Sequence, residues 1–356
     1  MFKKIAEALL RNANNPVDGE MAFFRDDRYT PFPINAKNFH EIRNKDSLIK
    51  KIAFVDGGNA EIVSIPNLSL QIIRTYAGIF ENNKKEGFKR REFYSLTYAA
   101  PKDISIIYKT EFFSEKGEAL SDEEIEKIFG LSGADFTFDA FDRTIMSGNE
   151  RASPQKIGEV IRRYAELSLA AETASEMKDS GIIVLDGTLQ SSVTGEGIFL
   201  KRLYSCCEKK NVIVSALAKT SRLITQNGNS LIAAINSISG KAPWYYYPVA
   251  EISHPDHQAE LFIAKLSEHS RHAFRFEVYK KSIFNAEEIF SLLAKNSNDF
   301  SFPGYPYGLI DADKFAQVTN EEKNALRARI ALEPHLKNKL ELFESSLNAH
   351  DILNRL

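Results

Sequence analysis

The chain has 356 residues, of which 43% are hydrophobic and 26% are charged. These fractions are typical of a globular protein and exclude a disordered, collagen-like or coiled-coil chain. Lysine plus arginine (46) nearly balance aspartate plus glutamate (48), so the net charge of −2 excludes a basic coat over the whole surface but allows a local basic groove.

Cysteine usage and hydropathy indicate the compartment. The two cysteines, Cys206 and Cys207, are adjacent, and neighbouring residues rarely form a disulfide. The amino-terminal apolar stretch is too short for a signal peptide, and no run approaches the ~18 apolar residues of a membrane span. We therefore expect a cytoplasmic protein with reduced thiols and no membrane association.

The first third of the chain predicts a short helix followed by a sheet. Residues 5–10 have helical spacing, and a polar, irregular segment follows them. Lys51–Asp56 (KIAFVD) predicts a strand that is broken at Gly57-Gly58. Three further segments predict the strands of an antiparallel meander, at residues 70–80, 91–100 and 104–113.

The spacing becomes helical after Ser153. Apolar residues recur at helical intervals from Ile157 to Met177, with Pro154 at the first helical position. Gly181–Asp186 and Val212–Leu217 predict strands that are buried on both faces. The pattern leaves 231–238 and 260–266 open and predicts a strand at 272–279 and helices at 309–318, 321–330 and 336–347. We expect one mixed sheet flanked by helices, formed by residues 46–356, with a helical and irregular extension at 1–45.

Two apolar strands share the same ending. Asp56 and Asp186 each follow an apolar run and precede a glycine, at the strand edge where α/β sheets bind ligands. An Asp-Gly turn explains either residue alone. Burying such carboxylates is unfavourable unless they are paired or bind a metal.

Helices offer further acids. On the 157–177 helix, Glu172 lies about 60° from the centre of the apolar face and Glu166 points toward solvent. Near the carboxyl terminus, Asp313 shares a helix face with apolar neighbours. Carboxylates brought together repel, and divalent Mg²⁺ or Mn²⁺ converts that repulsion into ligation. Two such ions suit phosphoryl displacement, so we expect a metal-dependent nuclease.

Basic and aromatic residues complete the candidates. Lys219 and Arg222 follow a strand at the same edge and are suited to phosphate contact. Tyr246 belongs to an aromatic run (Trp244–Tyr247) that suits stacking on unpaired bases or core packing. His350 is the one histidine of interest, although a surface helix position explains it better.

The ordered set FVDGGNA, IIVLDGTL, SALAKTSRL and GYPYGLIDADKFAQV resembles the NurA nuclease family over roughly residues 50–350. The resemblance implies a fold similar to RNase H and the PIWI domain, with helical additions at both ends. It implies exonuclease and single-strand endonuclease activity at DNA ends in double-strand break repair, a homodimer, and a HerA-type hexameric ATPase as partner. It also implies that Asp56, Glu172, Asp186 and Asp313 are metal ligands, with Lys219 catalytic and Glu166 or His350 as fallbacks.

Two other functions remain open on the sequence. A non-catalytic adaptor would keep the fold and bind a motor ATPase through its aromatic and helical surfaces, without binding metal at Asp56. An RNase H-like nuclease acting on RNA or RNA–DNA hybrids would share the acidic site. The near-neutral charge predicts weak binding to DNA alone, because phosphate contacts supply most of such affinity.

Overall fold

The structure is a computed structural model that describes residues 2–13, 19–44, 49–177, 181–333 and 336. The strands are β1 (Tyr29–Pro31), β2 (Phe39–Glu41), β3 (Lys51–Ile65), β4 (Leu68–Glu81), β5 (Lys84–Lys102), β6 (Ser105–Phe113), β7 (Thr137–Asp139), β8 (Gly181–Asp186), β9 (Ile213–Ala218), β10 (Trp244–Tyr246), β11 (Ala250–Ile252), β12 (Ala259–Lys265) and β13 (Phe274–Tyr279). The α-helices are α1 (Lys3–Ala13), α2 (Asp122–Phe129), α3 (Pro154–Glu176), α4 (Glu196–Lys210), α5 (Leu231–Ser237), α6 (Ala286–Asn296), α7 (Tyr307–Ala316) and α8 (Asn320–Ala331).

Eleven strands form one mixed sheet in the order β2-β10-β12-β13-β9-β8-β3-β4-β5-β6-β7. β8 pairs in parallel with both β3 and β9, and β3 to β6 form the predicted antiparallel meander. Between β7 and β8 the chain therefore returns across the sheet through α3, so that β8 lies beside β3 and not beside β7. This arrangement confirms the predicted α/β class with a central mixed sheet flanked by helices.

The strand predicted to break at Gly57-Gly58 does not break. β3 continues through both glycines to Ile65, because β4 stays hydrogen-bonded to it along that length. The parallel pairing with β8, in contrast, stops at Val55 and Leu185. Asp56 therefore lies inside a long strand, at the point where the neighbouring parallel strand comes to its end.

The two faces of the sheet are covered by different helices. α3 and α4 pack on the face that carries Ala53 and Val55, and α6 and α7 pack on the face that carries Phe54. Alternate residues of a strand point to opposite faces, so Asp56 shares the α7 face with Phe54. Gly57 shares the α3 face with Val55.

The remaining predictions have mixed outcomes. Residues 231–238 contain helix α5, and residues 260–266 contain strand β12. The segment 1–45 supplies α1 and also β1 and β2, and β2 forms an edge of the main sheet. The helix predicted at 336–347 lies outside the described residues apart from Leu336. None of the helices in the described ranges has the length and apolar character needed to span a bilayer.

Candidate metal centre

Neighbouring strands bring charged side chains to one edge of the sheet. β8 ends at Asp186, and β9 ends one residue before Lys219. Asp56 follows the last residue of β3 that pairs with β8. Ligands of α/β sheets bind outside the carboxyl ends of parallel strands, and these three side chains occupy that position.

Helix α7 lies close to β3 because glycines leave room for it. A Cβ atom on Gly308 would lie 1.9 Å from the ring of Phe54, and a Cβ atom on Gly58 would lie 2.2 Å from the carbonyl oxygen of Ala316. Any side chain at either position would push the helix away from the strand. This close approach brings Asp313, near the end of α7, over the strand edge.

The three aspartates form one cluster. Carboxylate oxygens of Asp56, Asp186 and Asp313 all lie within 4.8 Å of one another. The ammonium of Lys219 lies among them, 2.7 Å from Asp186, 2.6 Å from Asp313 and 4.0 Å from Asp56. Burial lowers the pKa of Lys219, but these carboxylates outweigh burial and raise the pKa above its ordinary value. The lysine is therefore charged and balances part of the negative charge.

Asp56 is the most buried member of the cluster, with 6% of its surface exposed. Burial and the charges of Glu166 and Asp186 raise the pKa of Asp56 to about 8, against the opposing influence of Lys219. The backbone N–H of Gly57 donates to its Oδ1 atom at 2.7 Å. The raised pKa therefore reflects burial first and the neighbouring carboxylates second.

This donor set fits a divalent cation. Oxygen ligands at short mutual distances are what Mg²⁺ and Mn²⁺ prefer. The cluster faces an open hollow of about 550 Å³, which is lined by all three aspartates and by Asn59. A second hollow of about 330 Å³ lies on the α3 side and shares Asp56 and Asp186 with the first.

Glu166 is buried beside this cluster, so the prediction that it points toward solvent is wrong. Only 1% of its surface is exposed, and its carboxylate accepts from Arg163 at 2.7 Å and from Arg162 at 3.0 Å. The helix is covered on more than its apolar face, because Gly57 lacks a side chain and lets this part of α3 approach the strand. The arginines lower the pKa of the Glu166 carboxyl, but burial outweighs them and raises the pKa above its ordinary value.

Glu172, the helix acid that the spacing favours, lies elsewhere. Its carboxylate accepts from Lys89 at 2.8 Å and forms an ion pair with Arg91, and both partners belong to β5. Gly57 pairs with Thr75 of β4, which pairs in turn with Arg91, so Glu172 lies over a strand two positions from β3. Two strand spacings are about 9.6 Å. The path of α3 across the sheet therefore separates Glu172 from the aspartate cluster, which helical spacing alone does not show.

Of the three other candidates, one is buried elsewhere, one is exposed and one lies outside the described residues. Tyr246 is 1% exposed, its hydroxyl accepts from the backbone N–H of Asn35 at 2.9 Å, and its ring packs edge-on against Phe39. A ring buried in this way offers no face to a base, so the stacking prediction does not fit the structure. Arg222 is exposed in the segment after β9. His350 lies outside the described residues.

Sequence reasoning missed a chain of ion pairs behind the cluster. Arg163 contacts Glu166 at 2.7 Å and Glu196 at 2.9 Å, and it donates to the carbonyl oxygen of Thr188 at 2.8 Å. Glu196 in turn accepts from the backbone N–H of Ser192 at 2.8 Å. These contacts connect α3, the loop after Asp186 and the start of α4. The available signal was the presence of Arg162 and Arg163 four and three residues before Glu166 on α3, and the pair with Glu196 had no such signal.

Comparisons with known proteins identify the family. Residues 50–318 match the family model of the NurA domain. No curated protein matches the chain. Solved structures that resemble it include the NurA nuclease from Sulfolobus solfataricus, at 14% sequence identity over 94% of this chain and 93% of that one, with a TM-score of 0.49.

Two further solved structures are more distant. The catalytic domain of human endonuclease V is 11% identical over 80% of this chain and 86% of that one, with a TM-score of 0.38. The Argonaute of A. aeolicus is 11% identical over 75% of this chain and 28% of that one, with a TM-score of 0.31.

Proposed function

The chain belongs to the NurA family, and from that membership and its aspartate cluster we propose that it is a divalent-metal-dependent DNA nuclease. The single observation that carries the proposal is the approach of three carboxylates to within 4.8 Å of one another at the edge of the parallel strands. Acids from two strands and a helix come together there although they repel, and the single ammonium of Lys219 offsets only part of their charge, which supports the binding of a divalent cation among them.

We assign the metal ligands to Asp56, Asp186 and Asp313, which would hold one or two Mn²⁺ or Mg²⁺ ions. When bound, such ions supply Lewis-acid stabilisation of the attacking and leaving oxygens of a phosphodiester. The protein orients these carboxylates beforehand through the strand pairing and the packing of α7. Glu166 stays the fallback for a further ligand, because it is buried beside Asp56 but carries two arginine partners.

Lys219 has two proposed roles in this site. Its ammonium neutralises the aspartates when no ion is present, as the distances of 2.6 and 2.7 Å support. With 38% of its side chain exposed, it also reaches the solvent side of the cleft, where it can contact a phosphate. Arg222 is exposed and follows Lys219 by three residues, and we propose it as a second phosphate contact.

The biological setting is proposed from the family. We propose that the protein removes nucleotides from DNA ends and cuts single strands during double-strand break repair, as a homodimer with a HerA-type ATPase that delivers DNA. The net charge of −2 supports the need for such a partner, since a free DNA-binding protein of this size usually carries excess basic residues.

The test is cleavage of end-labelled single- and double-stranded DNA with Mn²⁺, Mg²⁺ or EDTA, with and without the partner ATPase. We expect metal-dependent cleavage by the wild type and loss of cleavage in Asp56→Ala. Asp139→Ala, an exposed acid on β7 at the far edge of the sheet, is the matched control and should cleave normally. Circular dichroism melting shows whether each variant folds. Absence of cleavage by the wild type with the ATPase present would favour the adaptor.

A further inference from the structure

Arg162 projects from α3 into the cleft that contains the aspartate cluster. Its side chain is 26% exposed, and it lines both hollows together with Asp56 and Asp186. Its neighbour Arg163 is only 15% exposed and uses its donors on Glu166, Glu196 and a backbone carbonyl. Both arginines line the 330 Å³ hollow, but of the two it is Arg162 that also lines the 550 Å³ hollow and so borders both parts of the space where a substrate would bind.

The guanidinium of Arg162 is hydrogen-bonded through one of its nitrogen atoms, and its other two nitrogen atoms are available for a ligand. Its Nη1 atom donates to the carbonyl oxygen of Gly57 at 2.9 Å and to Glu166 at 3.0 Å. An arginine has five N–H donors, and within the described ranges no residue accepts from its Nε or Nη2 atoms. Three N–H donors therefore remain for a ligand, on a group whose position is already set.

The surrounding backbone is shaped to admit this arginine. A Cβ atom on Gly57 would lie 3.2 Å from Cγ and 3.5 Å from Nη1 of Arg162. Glu166 is in turn fixed by Arg163 at 2.7 Å, so the anchoring carboxylate does not move freely. Fewer rotamers are lost on binding when a side chain is held in this way, which favours affinity.

The cleft needs such a cation if it is to bind a polyanion. Asp56, Asp186 and Asp313 repel the phosphates on either side of a scissile bond, and at the reaction centre Lys219 and the metal ions would offset that repulsion. The 330 Å³ hollow beyond Arg162 is lined by five acidic residues, by three basic residues that include Arg162, and by neutral polar residues that include Thr188 and Gln190. A strand that crosses the aspartates from the 550 Å³ hollow would pass Arg162 as it enters this second space.

We propose that Arg162 binds the phosphate adjacent to the scissile phosphate of the substrate strand, so that the α3-side hollow holds the neighbouring nucleotide. The inference rests on the proposed nuclease function and names the substrate contact of that site. Paired N–H donors of a guanidinium match two phosphate oxygens, and such charge-assisted hydrogen bonds are stronger than neutral ones. The contact positions the strand and carries no base specificity.

The experiment measures binding of a fluorescent single-stranded oligonucleotide to the full chain in EDTA, where metal-dependent cleavage is prevented. We compare wild type, Arg162→Gln and Arg162→Lys between about 50 and 200 mM salt. The control is Arg43→Gln, which removes one charge from a residue that is 69% exposed, two residues after edge strand β2.

In Arg162→Gln we expect affinity to fall about tenfold and the slope of log affinity against log salt to become shallower by about 0.7. Arg162→Lys keeps the charge and should restore the slope, while Arg43→Gln should match the wild type. An unchanged slope in Arg162→Gln, or a wild type that does not bind at low salt, would overturn the proposal.

A steady-state measurement separates this contact from a structural role. With Mn²⁺ and the partner ATPase, loss of a phosphate contact raises KM more than it lowers kcat. If Arg162 only supports Glu166, both Arg162 variants lower kcat and the melting temperature alike, and the proposal fails. If the wild type binds DNA through Arg162 but never cleaves, the nuclease proposal fails while the phosphate contact stands.

Discussion

Lys219 and Asp186, which follow and end neighbouring parallel strands, form an ion pair with an Nζ–Oδ2 distance of 2.7 Å. The pair lies where a divalent cation would bind, because the same ammonium also contacts Asp313 at 2.6 Å. The lysine therefore compensates the aspartates when metal is absent and competes with the metal for the same oxygens. Removing this ammonium should lower the stability of the metal-free protein and increase the stabilisation that a bound metal provides.

Lys219→Met tests this competition. In EDTA the variant should melt at a lower temperature than the wild type, because three carboxylates are left without their ammonium partner. Mn²⁺ should then raise the melting temperature of the variant by more than that of the wild type, because the ion no longer competes with the ammonium for the same oxygens. A ligand that binds only the folded state stabilises it by about 2.7 kcal/mol at a hundred times its Kd. Lys314→Met, an exposed lysine on α7, is the control. Equal Mn²⁺ shifts in Lys219→Met and the wild type would contradict the competition.

Glu166→Gln and Glu172→Gln distinguish the two helix acids. Glu166 is buried beside Asp56 and anchors Arg162, so its neutral analogue should cleave DNA about 10–100-fold more slowly, the usual cost of losing a supporting contact at a metal site. Glu172 pairs with Lys89 and Arg91 on β5, and its side chain is 35% exposed. Glu172→Gln should therefore lower the free energy of unfolding by less than about 1 kcal/mol and leave the cleavage rate unchanged. Initial rates on end-labelled DNA and urea unfolding measure both effects. A slower Glu172→Gln with a normal Glu166→Gln would reverse the assignment.

Gly58→Ala tests the packing that positions Asp313. The added methyl group would meet the carbonyl oxygen of Ala316 at 2.2 Å, so α7 must shift. We expect a loss of about 1–3 kcal/mol in the free energy of unfolding and weaker Mn²⁺ binding. Gly87→Ala on β5 is the matched control, because no atom lies within 4 Å of its added methyl group, and its stability should change by less than about 0.5 kcal/mol. Unchanged Mn²⁺ affinity in a destabilised Gly58→Ala would show that Asp313 tolerates the shift.

The lowered pKa of Glu277 predicts that the protein loses stability in acid. Burial raises its pKa, but Arg275 at 2.5 Å, His257 at 3.1 Å and the backbone N–H of Leu189 outweigh burial and hold the pKa at about 2. Because the folded pKa lies below the unfolded value of about 4.3, the stabilisation is complete above that value and is lost as the pH falls toward 2. The stabilisation thus depends on an ionised Glu277.

Glu277→Gln should therefore be less stable by about 3–5 kcal/mol at neutral pH, because it leaves Arg275 buried without its charge partner. The same variant should lose less stability than the wild type between about pH 4 and pH 2. Denaturant unfolding at several pH values measures both. Parallel pH profiles for the two proteins would show that Glu277 does not titrate in this range.

The sequence alone determined two buried apolar runs and the acids that close them. Gly181–Asp186 and Lys51–Asp56 are apolar runs that only a buried strand accommodates, and a carboxylate that ends such a run must find a partner. The helix with Asp313 was readable from its spacing in the same way. These features depend on residues close together in the chain, whose local physics the sequence contains.

The tertiary structure alone decided which helix acid lies beside the aspartates. The periodicity of α3 favoured Glu172 and placed Glu166 toward solvent, whereas the structure buries Glu166 and pairs Glu172 with β5. A helical period describes angles around the helix axis but not the path of that axis across the sheet. Gly57 on β3 determines the path locally by leaving room for Arg162, and only the folded chain brings these two residues together.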